Sequence, residues 1–460
     1  MSTGTGTGTN QGRHMMNDTP LTTPVTRRGL LLGGAALAGL SLSGCGGGKS
    51  AQDAAGGAQS KATFGGAYTG PAITLSYWNG FTGGDGPFMK KMVSEFMAAN
   101  PKIKITENTV EWAQYYQRMP AAVTAGKGPD VGAMHLDQLA TNAARKIIVP
   151  VDELAKSLGL AEADFTKDVW QAGIYKDARY GIPLDVHSLG MYMNTDQTKK
   201  AGIDAAPTDK ASYDEFLAKL KQSGVQDPFW MPSKWPAHLM FLSLLWQNGG
   251  TPYADDGSKA TFDSDAGVQA LAWMVEVISK GYSPKNVAQD SQYVAFKNKK
   301  LSVTWDGIWQ INDLKAAKLP FELAPLPTIG SQPAAWANSH NFYITKQATQ
   351  DDNKYQAAQT FIDWMSKKSA EWAGAGMIPA RKSVRETADV TDSTQGPIAK
   401  QIDNLRFLPP IPGLGDAQAQ TLEIAVADAV LGKRKPDQAL KEEAAKATKL
   451  MEANRKKYGA

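Results

Sequence analysis

The chain has 460 residues, 42% hydrophobic and 20% charged, which excludes a single small module and wholesale disorder and leaves enough apolar chain for two cores. Its 49 Lys+Arg against 45 Asp+Glu give a formal charge of +4, without a basic stripe interleaved with aromatics that could track a phosphate backbone, so no nucleic acid is expected as partner. One Cys and five His permit no disulfide framework or thiolate cluster, and neither a metal site nor a cofactor is expected.

In chain order, the first specific signal is a targeting segment. Thr26-Arg27-Arg28-Gly29-Leu30-Leu31 opens an apolar run that ends at Leu42-Ser43-Gly44-Cys45. A basic start, a short Gly- and Ala-rich apolar stretch and small residues before the cut site are those of a secretory signal. The paired arginines resemble a twin-arginine export signal, whose further consensus Thr26 and Leu30 meet only in part, and the ending resembles a bacterial lipobox. Residues 1–44 are therefore expected to be removed and Cys45 to carry lipid, anchoring the protein to the cell membrane outside the cytoplasm. The mature chain keeps 46 basic and 44 acidic residues. Residues 45–66 are Gly-, Ala-, Ser- and Gln-rich and read as a flexible tether. No later apolar run is long enough to cross a bilayer.

Alternation predicts a strand at 72–78, helical spacing a helix at 87–97, and a second strand follows at 102–106. A helix at 112–125, a Gly-Pro turn and a buried strand at 130–134 repeat the pattern, which is that of βαβ units. Two apolar strand segments at 179–184 and 189–194 flank the polar Asp185 and His187, where a linker to a second, helix-rich part fits. Helices are predicted at 213–222, 237–247, 266–280, 355–366 and 437–456, and strands at 301–305 and 342–344.

The ordered segments Tyr77-Trp78-Asn79-Gly80-Phe81, Gly128-Pro129-Asp130-Val131, Tyr180-Gly181-Ile182-Pro183-Leu184, Met191-Tyr192-Met193-Asn194, Asp306-Gly307-Ile308-Trp309 and Ile378-Pro379-Ala380-Arg381 resemble family 1 extracellular solute-binding proteins over nearly the whole mature chain. The resemblance implies an α/β, two-lobed periplasmic-binding-protein-like fold of type II, each lobe a mixed, mostly parallel sheet flanked by helices, with the ligand cleft at the hinge. It implies residues 67–184 and 341–382 in an N-terminal lobe and 185–340 and 383–460 in a C-terminal one, crossed near Asp185 and His340. The function implied is capture of a neutral carbohydrate, a di- or oligosaccharide, by a monomer that closes over it and delivers it to a membrane-embedded ABC permease.

A sugar presents hydroxyls to polar side chains and C–H faces to aromatic rings, so its site needs both. Phe81 and Asp85 stand in a Gly-rich loop between strand and helix. Asp85 could equally cap that helix, and a phosphate cradle there lacks the Walker spacing and its Lys. His135 and Asp137 follow a buried strand at the carboxyl edge where open α/β sheets bind ligands. Asp185 and His187 mark the first crossing, as site residues or as a hinge brace. Trp78, Trp246, Trp273 and Trp364 read as core. Trp230, Trp235, Trp305 and Trp309 flank Pro, Gly, Lys and Asp in connections, and Trp309 matches the family's stacking aromatic. Trp235 with His238, and Trp112 with Glu111 and Tyr115, are further groupings. Asp306 precedes Trp309, His340 stands in the neutral hydrogen-bonding run Asn338, Ser339, His340 and Asn341 at the last crossing, and Arg381 either donates to a hydroxyl or caps a helix.

Two other classes fit less well. A receptor for a phosphorylated polyol or a polyamine would need a cationic cluster or a carboxylate cage, and neither pure pattern occurs. A lipid-anchored carbohydrate hydrolase would need paired carboxylates at a set distance. No Gly-x-Ser-x-Gly elbow, His-Glu-x-x-His helix or P-loop is present in the mature chain, so no enzyme is expected.

Overall fold

The computed structural model describes residues 64–459. The expected signal at 1–44, the lipidated Cys45 and most of the tether lie outside the described residues. Thirteen strands are described. They are β1 (Ile73–Asn79), β2 (Ile103–Thr109), β3 (Val131–His135), a small hairpin of β4 (Ile174–Tyr175) and β5 (Ala178–Arg179), β6 (Ile182–Pro183), β7 (Asp185–Asn194), β8 (Val303–Gly307), β9 (Phe321–Ala324), β10 (Ala335–Asn338), β11 (His340–Ile344), β12 (Ile378–Pro379) and β13 (Leu405–Arg406).

The first sheet has the order β2-β1-β3-β11-β6. β1 runs parallel to β2 and β3, so each connection must cross over the sheet, and helices Gly86–Ala99 and Trp112–Thr124 make the crossings. Met89, Met92, Val93 and Phe96 recur at helical spacing and bury one face of the first. Tyr115, Met119 and Val123 do so in the second. A later helix, Asp352–Lys367, joins the same core through Phe361, whose ring lies 4.9 Å from Tyr77 and 5.0 Å from Phe96.

The second sheet is built around β7. β12 and β10 flank its start, β8 and β9 its end, and β13 extends β10. Every pairing of β7 is antiparallel and only β10–β13 is parallel, which corrects the expectation of a mostly parallel sheet in both halves: the βαβ rhythm of the first three strands stops at β7. The two interrupted segments expected around Asp185 and His187 are also corrected. β7 is one unbroken strand whose ten residues are all buried, with Asp185 and Tyr192 among its polar side chains held by hydrogen bonds. Helix Ala237–Gln247 is buried on every side and lies between this sheet and helices Asp265–Ser279 and Leu422–Val430.

Of the tryptophans read as core, Trp246 and Trp273 are buried, whereas Trp78 and Trp364 are half-buried. Trp305, expected in a connection, is fully buried and stacks on Trp273 at 5.4 Å. As part of β8 it points inward, toward Tyr213 and Phe229.

Three chain passes join the sheets. Leu184 links β6 to β7, Ser339 links β10 to β11, and Pro379 of β12 pairs with Asp185. Their backbones are bonded together: Leu184 N–H donates to His340 O at 2.9 Å, Ala380 N–H to Leu184 O at 3.3 Å and Leu136 N–H to Ser339 O at 2.8 Å.

Candidate functional site

Strand register assembles the site at these crossings. β11 sets His340 opposite His135 at the end of β3, and β10 sets Asn338 opposite His187 in β7. Directly paired residues bring their side chains into contact, so three histidines far apart in the sequence become neighbours. His187 stacks on His340 with centroids 4.1 Å apart, and His135 lies 4.8 Å from His340 and 5.3 Å from His187.

Asp185 holds this group from beneath. It is fully buried and accepts from His340 N–H at 2.9 Å, His340 Nδ1 at 2.8 Å, His187 Nδ1 at 3.2 Å and Trp372 Nε1 at 2.7 Å. Burial opposes its ionisation, but His340, His187 and their N–H donors outweigh burial and hold its carboxyl far below the usual range. Burial, reinforced by His340, pushes His187 down to about 4. Burial, then His340 and His187, pushes His135 well below its ordinary value. Both rings are therefore neutral at pH 7.

Aromatic rings wall the cluster. Trp112 stacks on His340 at 5.4 Å and on Tyr116 at 5.7 Å, and Phe81 meets His340 edge-on at 4.8 Å. From the second sheet, Trp309 and Trp336 approach His187 at 5.9 and 6.0 Å. Trp235 continues the wall outward, 6.2 Å from Trp309 and 5.4 Å from His238, with 39% of its surface exposed.

Two more carboxylates stand nearby. Asp137, in the first turn of helix Leu136–Ala144, has its carboxyl pushed up to about 6 by burial, and its Oδ1 is buried without a hydrogen-bond partner. Asp85 occupies the N-cap position of helix Gly86–Ala99 but makes no capping bond. Instead it accepts from Gly83 N–H at 3.1 Å, and burial pushes it up to about 6 although His340 opposes the rise.

The structure thus brings together Phe81, Asp85, Trp112, His135, Asp185, His187, Trp309 and His340, with Trp235 at the rim and Asp137 beside His135. It places three expected residues elsewhere. Glu111 is exposed and accepts from Ala113 N–H at 3.0 Å and Gln114 N–H at 3.2 Å, capping helix Trp112–Thr124. Arg381 donates to Ser366 Oγ at 3.1 Å and shares no hydrogen bond, ion pair or ring contact with the cluster among the described residues. Asp306 accepts from Gly307 N–H at 2.7 Å and Gln310 Nε2 at 3.4 Å, and the other groups that most shift its carboxyl are Asp290 and Gln292, not the histidines.

Sequence reading missed three members. Tyr116, whose hydroxyl lies 2.6 Å from His135 Nδ1, is one helical turn past Trp112, and that spacing could have found it. Trp336 lies two residues before Asn338, so strand alternation places both on one face. Trp372 carried no signal. Strand register also gathers His135, His187 and His340, which each offer one ring nitrogen within 4.8 Å of the others. No short motif announces them because three different strands supply them.

A family model described as bacterial extracellular solute-binding protein matches residues 81–372. Among curated proteins, the sn-glycerol-3-phosphate-binding periplasmic protein UgpB of Salmonella typhimurium strain LT2 is 26% identical over 412 residues, spanning 81% of this chain and 92% of that protein. UgpB of Escherichia coli O1:K1 is 25% identical over 400 residues, spanning 80% and 90%. Among solved structures, the GacH receptor of Streptomyces glaucescens, studied unliganded and with acarbose, has a TM-score of 0.72 at 20% identity, covering 84% of this chain and 98% of that one. Maltose-bound MalE3 of T. maritima has a TM-score of 0.72 at 19% identity, covering 82% and 100%. At these identities the likeness to solved structures is one of fold.

Proposed function

The chain belongs to the bacterial extracellular solute-binding proteins, which act outside the cytoplasm as binding components and not as enzymes, and we propose that the solute taken by this member is a neutral carbohydrate, a di- or oligosaccharide. In this reading residues 67–184 with 341–382 and residues 185–340 with 383–460 form two lobes that close over the sugar and present it, as a monomer anchored through lipid on Cys45, to an ABC permease. The protein makes and breaks no covalent bond in the solute.

The observation that carries the reading is the composition of the cleft. Trp112, Trp309 and Trp235 offer ring faces to C–H surfaces, beside Asp137 Oδ1, a polar atom left without a partner that a sugar hydroxyl can satisfy. The groups that most perturb Asp85, His135, Asp137, Asp185 and His187 are imidazoles, carboxylates and neutral donors, with no Lys or Arg among them. A phosphate monoester would want such cations.

A second reading has specific support from the UgpB relatives, which bind sn-glycerol-3-phosphate by name. Thermal shift separates the two, since a ligand of the folded state raises the melting point by mass action. The expected result is a saturable rise with one class of neutral sugar and none with sn-glycerol-3-phosphate. The opposite pattern replaces the carbohydrate with a phosphorylated polyol.

A further inference from the structure

Hydrogen bonds on the far sides of the three imidazoles decide which nitrogen each presents. Asp185 meets Nδ1 of His187 at 3.2 Å and Nδ1 of His340 at 2.8 Å, so Nε2 is the nitrogen that each of these rings turns away from it, and His187 Nε2 is buried without a hydrogen-bond partner. His135 Nδ1 lies 2.6 Å from the Tyr116 hydroxyl, whose oxygen also accepts the His135 backbone N–H at 3.0 Å. Tyr116 thus engages Nδ1 of His135, as Asp185 does for the other two rings. A hydrogen-bond partner behind each ring, orienting it, is the outer shell that metal-binding histidines use.

We infer that His135, His187 and His340 form a site for one divalent transition-metal ion of the Zn2+ type, bound through the three Nε2 atoms. Imidazole nitrogen suits Zn2+, Co2+ or Ni2+ and not the oxygen-seeking Ca2+ or Mg2+. Three protein nitrogens leave a fourth tetrahedral position open, which a solute oxygen in the cleft can take. That last element rests on the proposed solute-binding role of the cleft, whereas ion binding does not. Ligands at about 2.1 Å from a tetrahedral ion stand roughly 3.4 Å apart, so ring nitrogens that now lie within 4.8 Å of one another must close by around an ångström when the ion binds. His238, which also belongs to the described chain, stands apart beside Glu423 at 3.8 Å and is not part of the site.

The test titrates the chelator-treated mature protein with Zn2+ alone by calorimetry and reads Co2+ by visible absorption. One equivalent at micromolar or tighter affinity, with the absorption of a tetrahedral nitrogen site, is expected. His135→Gln, at a part-exposed position, should keep its circular dichroism and lose affinity by about a hundredfold or more. Tyr116→Phe should keep the one-equivalent stoichiometry and weaken binding about tenfold by removing the group behind His135, an effect that a merely structural tyrosine would not produce. Binding only at millimolar Zn2+, or tight binding unchanged in both variants, overturns the inference. Sugar thermal shifts run in chelator keep the two proposals apart. A shift that persists while Zn2+ fails to bind removes the ion and leaves the receptor, and Zn2+ binding without any solute shift does the reverse.

Discussion

Asp306 is 2% exposed, and burial, with Asp290 adding to it, pushes its carboxyl up to about 7 against the donors Gly307 N–H and Gln310. Its folded value lies above the unfolded one near 4, so between these pH values the folded chain holds a proton that the unfolded chain has released. Stability from this group is therefore full below pH 4 and falls as pH rises to about 7, by up to about 4 kcal/mol. Asp306→Asn keeps an oxygen for both donors and cannot ionise. Its melting point should exceed that of the unsubstituted protein by several degrees at pH 8 and match it near pH 4, and equal gains at both pH values would show that ionisation of Asp306 is not what costs stability. Trp309 makes the complementary case. Half-buried against His187, Trp235 and Trp336, it should on Trp309→Ala lose about tenfold or more in solute affinity with little change in the melting point of the empty protein. A large loss of stability without solute would assign the ring to the core. At this scale residue chemistry was legible where a ring or carboxylate stood at a strand end, as with His135, and illegible where the role depends on direction. Asp306 and Arg381 look alike in sequence to residues that face the cleft, and only packing turns them away.

Glu111 belongs to the helix it precedes. Both of its carboxylate oxygens accept from the first turn of Trp112–Thr124, satisfying donors that no helix can satisfy internally. Glu111→Ala should cost about 1 kcal/mol of stability and leave solute affinity in place. A loss of affinity exceeding the loss of stability would return Glu111 to the site. The helices of the first two βαβ units were readable within a residue or two, because their apolar spacing is itself what packs them, and Ala237–Gln247 was readable from its nearly unbroken apolar run, whereas β2 runs on to Thr109, past the alternation that announced it. β7 was not, since a polar residue inside an apolar run reads as an interruption until its partners are known. Asp185 takes four donors, one from His187 in its own strand and three from His340 and Trp372 on distant passes, and those three pairings are not local. The histidine cluster was hidden for the same reason: each member was visible singly, but their meeting depends on the register of β3, β11, β10 and β7.

At the scale of the molecule, the Gly-rich loop after β1 lies directly on the segment after β8. A Cβ at Gly84 would stand 2.9 Å from Asp313 N and 3.0 Å from Trp309 O, closer than side chains tolerate, and Asn312 Nδ2 donates to Gly374 O at 2.9 Å beside it. The two sides of the cleft are thus in contact at its mouth, and glycine is what lets them meet. A solute shifts such a protein toward the closed arrangement only by binding it more tightly than the open one, so any group that obstructs this contact subtracts from solute affinity without touching the site. Gly84→Leu places a bulky side chain there, on a loop that is partly exposed and whose removal from the opposite side disturbs neither sheet core. The empty variant should melt near the unsubstituted protein, bind solute about tenfold or more weakly, and show in small-angle scattering a larger radius of gyration that solute no longer reduces. Undiminished affinity with the same solute-driven contraction would mean that the cleft closes along another surface, and that this loop rests on the Trp309–Asp313 segment without governing closure.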